Sequence, residues 1–528
     1  MAAYINFYRS CRLYLNIHRR SVLLGTKVFS SNSTTTTYSK AAVQFKSVND
    51  MPGPPSIPVL GTAYRLLFTN KPIGKRNLEL NLKDFCSYGS IVKLTFPNFS
   101  TIKIYDPSDA EAVFRSEPKY PKRFDLPLFN YYRETRKKPA GVFFLDGEEW
   151  YKHRNVINKR ILRPKELEFY VPELNKIIDD LVNRLRNLRG SQGLENEIPD
   201  LENELFKWSF ESVSHFLFDR RFHVKGDKPN PHAKSFIDSV RTFLEAVFPA
   251  FLVPIWFSKY IYETKSFKSF TESFDQMYKY TELFISMKIQ ELEEKGKLDS
   301  DKSNERVDFL TFLLSSKKLT REDLLSSVID ILFAGVDTTS NTMQWALYLM
   351  GKNTDKQQIL YEEVRSVLPN GEQASMDTLS RMPYLRAWVK ETLRLYPVLS
   401  ELSRVLNEDL TLSGYNIPAG SQVNIMLYAM GRNESNFEDA HLFKPERWLR
   451  KNQNQNEHRF NAFASIPFGF GTRMCIGRRL AEMELHLLLA RVVQEFQIQY
   501  PHSDDVEPTT RGTLKPDRAV RVKFVDRG

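Results

Sequence analysis

The stretch FGFGTRMCIGRR, residues 468–479, sets Cys475 between Gly471 and Gly477, beside Arg473, Arg478 and Arg479. A packed structural cysteine behaves as a small apolar side chain and needs none of this company. A cysteine that must stay a thiolate and hold a metal needs most of it. Glycines let the backbone turn tightly and let a flat ligand approach. Nearby cations lower a thiol's pKa, and so does the N-terminus of a helix, expected here from about Ile476 with Leu480, Met483 and Leu487 on its apolar face. Backbone N–H groups can bond the sulfur and tune its donor strength. Zinc is disfavoured, because no second Cys or His stands at ligand spacing from Cys475.

A second group of residues could move protons. LLSSVIDILFAGVDTTSNTMQWALYLM (324–350) reads as a long apolar helix with Gly335, Asp337, Thr338 and Thr339 in its middle. An interior glycine costs a helix about 1 kcal/mol relative to alanine, and threonine hydroxyls can bond the preceding turn and bend it. A local distortion is therefore expected there. A buried acid and a hydroxyl at a distortion suit a proton-delivery groove. Taken alone, the stretch reads more simply as a core helix with satisfied polar groups.

Several arginines could hold carboxylates. WVKETLRLYP (388–397) puts Glu391 and Arg394 on one helix face, and FKPERW (443–448) adds Arg447 and Trp448. DGEEWYKHR (146–154) puts Trp150 and Arg154 at i and i+4, and Arg404 lies in ELSRVL. Singly, each is a solvated side chain or a weak surface ion pair. Converging on one place, they would clamp carboxylates through bidentate geometry.

The elements that must position these residues are mostly helical. LENELFKWSFESVSHFLF (201–218) and SFDQMYKYTELFISMKIQELEE (273–294) carry helix-spaced apolar positions. IVKLTFPNFSTIKIYD (91–106) alternates on both sides of a Pro-Asn turn and predicts a β-hairpin, and RAVRVKFV (518–525) alternates as a strand. Polar breaks at 189–193, 294–306 and 451–459 read as loops, with no internal repeat and no strong linker. The expectation is a mainly α fold with small β-sheets near both ends, as one catalytic domain over 50–528. The 38 Phe and 23 Tyr fit a large apolar interior or pocket. Three cysteines, Cys11, Cys86 and Cys475, are too few for a secreted disulfide framework. The net charge of +11 fits an anionic membrane or an acidic protein partner. Nucleic acid is set aside, since no motif for it is visible.

Residues 1–49 contain Arg9, Arg12, Arg19, Arg20, Lys27, Lys40 and Lys46 and no acid before Asp50. No apolar run there approaches the ~20 residues of a spanning helix. The segment is expected to be an Arg-rich, Ser-rich transit peptide rather than a plain basic tail. The fold would then start near MPGPPSIPVLGT (51–62), whose prolines favour a stiff entry.

Phe468, Gly471, Arg473, Cys475 and Gly477 together resemble the haem-thiolate signature of the cytochrome P450 superfamily. AGVDTT (334–339) is similar to its oxygen-activating helix. Glu391, Arg394 and Arg447 resemble its structural network, and Trp150 with Arg154 its propionate-binding helix. The resemblance spans residues from about 51 to the end and implies the cytochrome P450 fold and a haem b cofactor. It implies Cys475 as the axial iron ligand, with Trp150, Arg154, Arg404 and Arg473 holding the propionates. It implies Asp337 and Thr338 as proton donors for dioxygen cleavage. With the leader, it points to the mitochondrial class, whose electrons come from a small acidic adrenodoxin-like iron–sulfur ferredoxin. Arg386 and Lys390, and the pair Arg478 and Arg479, match that class's docking cations, although a solvated basic face is the plainer alternative.

Segments resembling the pocket walls are 124–144, 248–257, 331–338 and 397–402. All are apolar, so a bulky lipophilic substrate is expected. FPAFLVPIWF (248–257) is also suited to resting on a membrane surface, which implies peripheral association. GVFFLDGEEWYKHRNVINKRIL, ELFKWSF, MQWALYL and YAMGRNESNFEDAHLFKPERW most resemble insect mitochondrial ecdysteroid 2-hydroxylases. That implies steroid hydroxylation in ecdysone synthesis. Hydroxylation at another ecdysteroid carbon, xenobiotic oxidation, and a haem-based sensor are the competing readings. The acid–threonine pair argues against the sensor, which needs no proton relay.

Overall fold

The computed structural model describes residues 45–527, apart from 59, 68–69, 97–98, 125, 191–194, 225–228, 252, 295–307, 317 and 450–459. Residues 1–44 of the expected leader, the Pro-Asn turn at 97–98 and the polar run 451–459 lie outside them.

The helix Arg321–Lys352 runs through the middle of the molecule. Its start is fixed by a capping box: Asp323 N–H donates to Thr320 Oγ1 at 3.1 Å and Thr320 N–H to Asp323 Oδ2 at 3.2 Å. Such a cap is worth about 1 kcal/mol. It ends where Asn353 N–H and Nδ2 both return to Leu349 O. Nearly every residue between is buried, as befits a helix apolar all round.

The helix is continuous through Gly335 to Thr339, and Thr338 bonds back to the preceding turn as expected. Its hydroxyls are satisfied without breaking the ladder. Thr338 Oγ1 donates to Ala334 O at 2.7 Å, Ser340 Oγ to Val336 O at 2.8 Å, and Thr342 Oγ1 to Thr338 O at 2.8 Å. Gly335 serves packing instead. A Cβ there would lie 2.7 Å from Val213 Cγ2 on the helix Leu201–Phe218, and Ser209 Oγ donates to Gly335 O at 2.9 Å. The two helices approach closely because this position has no side chain.

Around this axis lie Pro231–Phe251 packed on Lys265–Glu294, and then Pro383–Leu395 and Arg478–Glu495 on the opposite side. The eleven strands among the described residues form four small sheets. β2 (Ile91–Thr95), β3 (Ser100–Ile104), β7 (Gln422–Ile425) and β4 (Leu402–Val405) make the largest, in that order. β2 and β3 pair antiparallel, Ile91 with Ile104, as the alternation predicts. β3 pairs parallel to β7, and Arg404 on β4 lies opposite Val423. β1 (Lys46–Ser47) joins β6 (Tyr415–Ile417) and β5 (Leu410–Leu412), so pairing begins upstream of residue 51. β8 (Phe496–Gln499) pairs with β11 (Lys523–Asp526), and β9 (Pro508–Arg511) with β10 (Thr513–Pro516). The expected strand over 518–525 thus shrinks to 523–526.

Candidate functional site

The Cys475 loop closes on itself before its helix. Cys475 N–H donates to Phe468 O at 2.8 Å and Met474 N–H to Gly471 O at 3.2 Å. Gly471 holds φ +78°, and a Cβ there would meet Glu117 Oε2 at 2.5 Å, so glycine is required. Gly477 is held differently from Gly471. Its φ of −85° is ordinary and a Cβ would meet nothing within 4 Å. It caps the helix, which starts at Arg478 rather than Ile476, and its N–H bonds the Cys475 sulfur.

Cys475 is exposed by surface area, with Arg154, Arg123 and Arg478 close enough to act on its charge. The expected depression of its pKa does not hold for the protein alone. Burial pushes the thiol up, and the Gly477 N–H, Arg154, Arg123 and Arg478 only partly oppose this. Deprotonation here calls for a directly bonded cation, which removes a coordinating thiol's proton outright.

Guanidinium groups cluster beside Cys475. Asp146 sits at the N-cap of the helix Gly147–Ile161 but makes no capping bond; its carboxylate takes Arg473 Nη1 instead. Arg473 Nη2 donates to Leu145 O, and its guanidinium carbon lies 4.5 Å from the Trp150 ring centre. Arg154, one turn beyond Trp150, donates from Nη2 to Met474 O at 2.6 Å. Arg404 pairs with Glu117. Arg123, which the sequence reading did not single out, joins them and donates to Phe143 O at 3.2 Å. Burial, then Arg473 and Arg404, pull its pKa down to about 9. Burial pulls Arg154 down to about 10. The Nε atoms of Arg154 and Arg473 are buried without a partner.

On the central helix, Ala334 and Thr338 are partly exposed one turn apart while most of their neighbours are buried. Asp337 is buried beside them. Its Oδ1 accepts Asn341 Nδ2 at 2.8 Å and its Oδ2 accepts Thr513 Oγ1 at 2.6 Å. Burial pushes its pKa up, against Lys515 and these two donors. Three of the expected pocket walls meet through aromatic rings. Phe143 and Phe144 lie 5.9 and 6.4 Å from Phe333, and Phe124 lies 6.5 Å from Phe251. In the fourth, Leu402 approaches Gly469 of the cysteine loop.

Glu391 and Arg394 are fully buried, not a surface pair. Arg394 reaches Glu391 through Nε at 2.8 Å and Nη2 at 2.7 Å and also donates to Gly431, Ala440 and Leu442 carbonyls. Arg447 Nε at 3.0 Å, Trp448 Nε1 at 2.8 Å and Lys444 N–H at 2.8 Å complete the Glu391 shell. Burial raises the Glu391 pKa, but Arg394 and Arg447 bring it below the usual range.

Of the four basic residues expected to dock a partner, three come together. Arg386 and Arg478 both act on the charge of Lys390, whose pKa falls through burial and this crowding. Arg478 pairs with Glu482 at 3.0 Å. Arg479 turns elsewhere and donates to Leu162 O.

Residues 51–524 match the family described as Cytochrome P450, and the chain belongs to that family. It is accordingly a P450 monooxygenase with a haem cofactor. It is 33% identical over 478 residues to cytochrome P450 10 of Lymnaea stagnalis, covering 90% of this chain and 85% of that protein. It is 32% identical to the mitochondrial 1,25-dihydroxyvitamin D(3) 24-hydroxylase of Rattus norvegicus, covering 91% and 89%. It is 31% identical to the mitochondrial sterol 26-hydroxylase of the same species, covering 92% and 90%. The donor set fits haem. Arg123, Arg404 and Arg473 share the charges of Asp146 and Glu117 while Arg154 meets no carboxylate, and two buried Nε donors are left orphaned, which suits a group bearing two carboxylates.

Proposed function

We propose that this chain hydroxylates an ecdysteroid precursor at carbon 2, in mitochondria, with electrons from an acidic ferredoxin. The observation that carries the chemistry is the Cys475 sulfur beside Arg123 and Arg154, with Arg473 and Arg404 next to Arg123. When bound, haem supplies a redox-active metal at which dioxygen is cleaved and one oxygen atom enters an unactivated C–H bond.

The chain's own residues do the rest. Cys475 would hold the haem iron through its thiolate, whose electron donation would favour O–O cleavage. The Gly477 N–H holds the sulfur in line. Arg154, Arg404, Arg473 and Arg123 bind the propionates, with Trp150 stacked under Arg473 and Phe468 closing the cysteine loop. Asp337 holds a proton on its carboxylate, and Thr338 places a hydroxyl on the partly open helix face. Phe143, Phe144 and Phe333 exclude water from the pocket. Glu391, Arg394 and Arg447 secure the backbone around 431–448.

The steroid assignment is supported by relatives whose names specify sterol and vitamin D hydroxylation, and by segments resembling the insect ecdysteroid 2-hydroxylase known as Shadow. Mitochondrial placement is supported by the acid-free segment 1–49 and by the relatives' names. Among the described residues no helix is long and apolar enough to cross a membrane. Trp256, Tyr260, Ile261 and Tyr262 are exposed around the short helix Ile255–Tyr260, which suits contact with a lipid surface.

Incubation of the haem-loaded enzyme with a 2-deoxyecdysteroid, ferredoxin and its reductase tests the assignment. A 2-hydroxylated product supports it. A product hydroxylated elsewhere, or turnover of foreign lipophiles alone, overturns it.

A further inference from the structure

The two oxygens of Asp337 are held from different elements. Oδ1 accepts Asn341 Nδ2, and Asn341 Oδ1 accepts Gln344 Nε2 at 3.1 Å, so three polar side chains form a ladder along one face of the central helix. Oδ2 accepts the Thr513 hydroxyl from β10. Lys515 lies two residues along that strand, hence on the same face. It is buried, acts on the charge of Asp337, and stands 3.9 Å from Glu202.

Gln344, Lys515 and Glu202 line one cavity of about 160 Å³. Its rim includes Glu245 and Arg518, both exposed, so it opens toward solvent. At about 30 Å³ per water in the liquid, that space holds several molecules, and charged walls keep them there. The Oδ1 arm of the Asp337 network thus ends at this charged cavity through Gln344, and Lys515, two residues along β10 from Thr513, brings the cavity wall near the Oδ2 arm.

We propose that this cavity is the proton entrance of the site, with Thr513 the relay and Lys515 the residue that positions the incoming water. The Thr513 O–H bond breaks as its proton moves to the Asp337 carboxylate. The Thr513 oxygen takes a proton from a water drawn from the cavity, and the hydroxide left behind is neutralised by bulk buffer. Asn341 and Gln344 hold the other Asp337 oxygen so that the receiving one stays aimed at Thr513. The inference rests on the reading of Asp337 as a proton donor.

Two measurements on the haem-loaded enzyme test it. First, Asp337 is titrated without turnover through its infrared carboxyl band, assigned by its loss in Asp337→Asn. Lys515→Met raises the midpoint, because the ammonium favours the carboxylate; an unmoved midpoint overturns the role of Lys515. Second, product per electron pair and the solvent isotope effect are measured, with an unaltered carbon monoxide spectrum as the folding control. Thr513→Val lowers coupling several-fold and raises the isotope effect, and Thr513→Ser restores both. If Thr513→Val changes neither while Asp337→Asn loses coupling, protons enter elsewhere and the proposal falls alone. If Asp337→Asn also keeps full coupling, the reading of Asp337 falls with it.

Discussion

The Arg473 guanidinium sits 4.5 Å from the centre of the Trp150 ring while the acid that starts Trp150's own helix, Asp146, grips its Nη1. Asp146, Trp150 and Arg154 follow at steps of four, so one helix face holds Arg473 from below and adds a second guanidinium beside it.

Removing either half of this contact should loosen the cofactor. A desolvated cation–π pair contributes roughly 2 kcal/mol. Trp150→Ala and Arg473→Ala should each lower the haem-to-protein ratio of the purified chain. Arg473→Lys should not restore it, since an ammonium cannot reproduce the planar fork. Full haem content in Arg473→Ala would remove this residue from the binding set.

Glu391→Gln leaves two arginines facing a neutral amide in a sealed site. Breaking a buried ion pair by deleting one partner costs about 3–5 kcal/mol. The expected outcome is little folded protein, or a thermal midpoint many degrees lower, measured on the haem-loaded enzyme. A midpoint equal to that of the parent protein would contradict a structural role.

Asp330 predicts a pH dependence of stability. Burial pushes its pKa from 3.8 up to about 7, against Arg133 and the Phe143 N–H, which donates to Oδ2 at 2.9 Å. The folded chain keeps this proton where the unfolded chain has released it. The stability tied to it is complete below 3.8, fades as pH rises toward about 7, and is gone above. Three pKa units at about 1.4 kcal/mol each set an upper bound of about 4 kcal/mol. Asp330→Asn should therefore gain stability relative to the parent as pH rises to neutrality, read from paired unfolding curves. A difference that does not vary with pH would contradict it.

The cluster of Arg386, Lys390 and Arg478 crowds like charge on one face, which an acidic partner relieves. Lys390→Glu should weaken ferredoxin binding roughly tenfold at low salt and flatten its salt dependence. The carbon monoxide spectrum should not change. Binding and salt slope equal to the parent's would place docking elsewhere.

What the sequence made legible was local. Glu391 and Arg394 share a face by spacing alone, Trp150 and Arg154 likewise, and the hairpin over 91–104 follows from alternation. Contacts across the fold were not. Arg123 and Asp146 carry no spacing signal toward Arg473, some 330 residues on, and Thr513 meets Asp337 only because β10 packs on the central helix. The hydroxyl back-bonds at Thr338 were legible, whereas the packing of Gly335 against Val213 was not. The thiol pKa was misjudged because burial is a tertiary property, while cations and helix ends can be read along the chain.

The most direct test is the absorption spectrum of the reduced, carbon monoxide-bound protein, compared with Cys475→Ala. The account predicts the red-shifted Soret band of a thiolate-ligated haem in the parent and its loss in the variant. A parent protein without pigment under ample haem supply, or a band that survives removal of the sulfur, would contradict it.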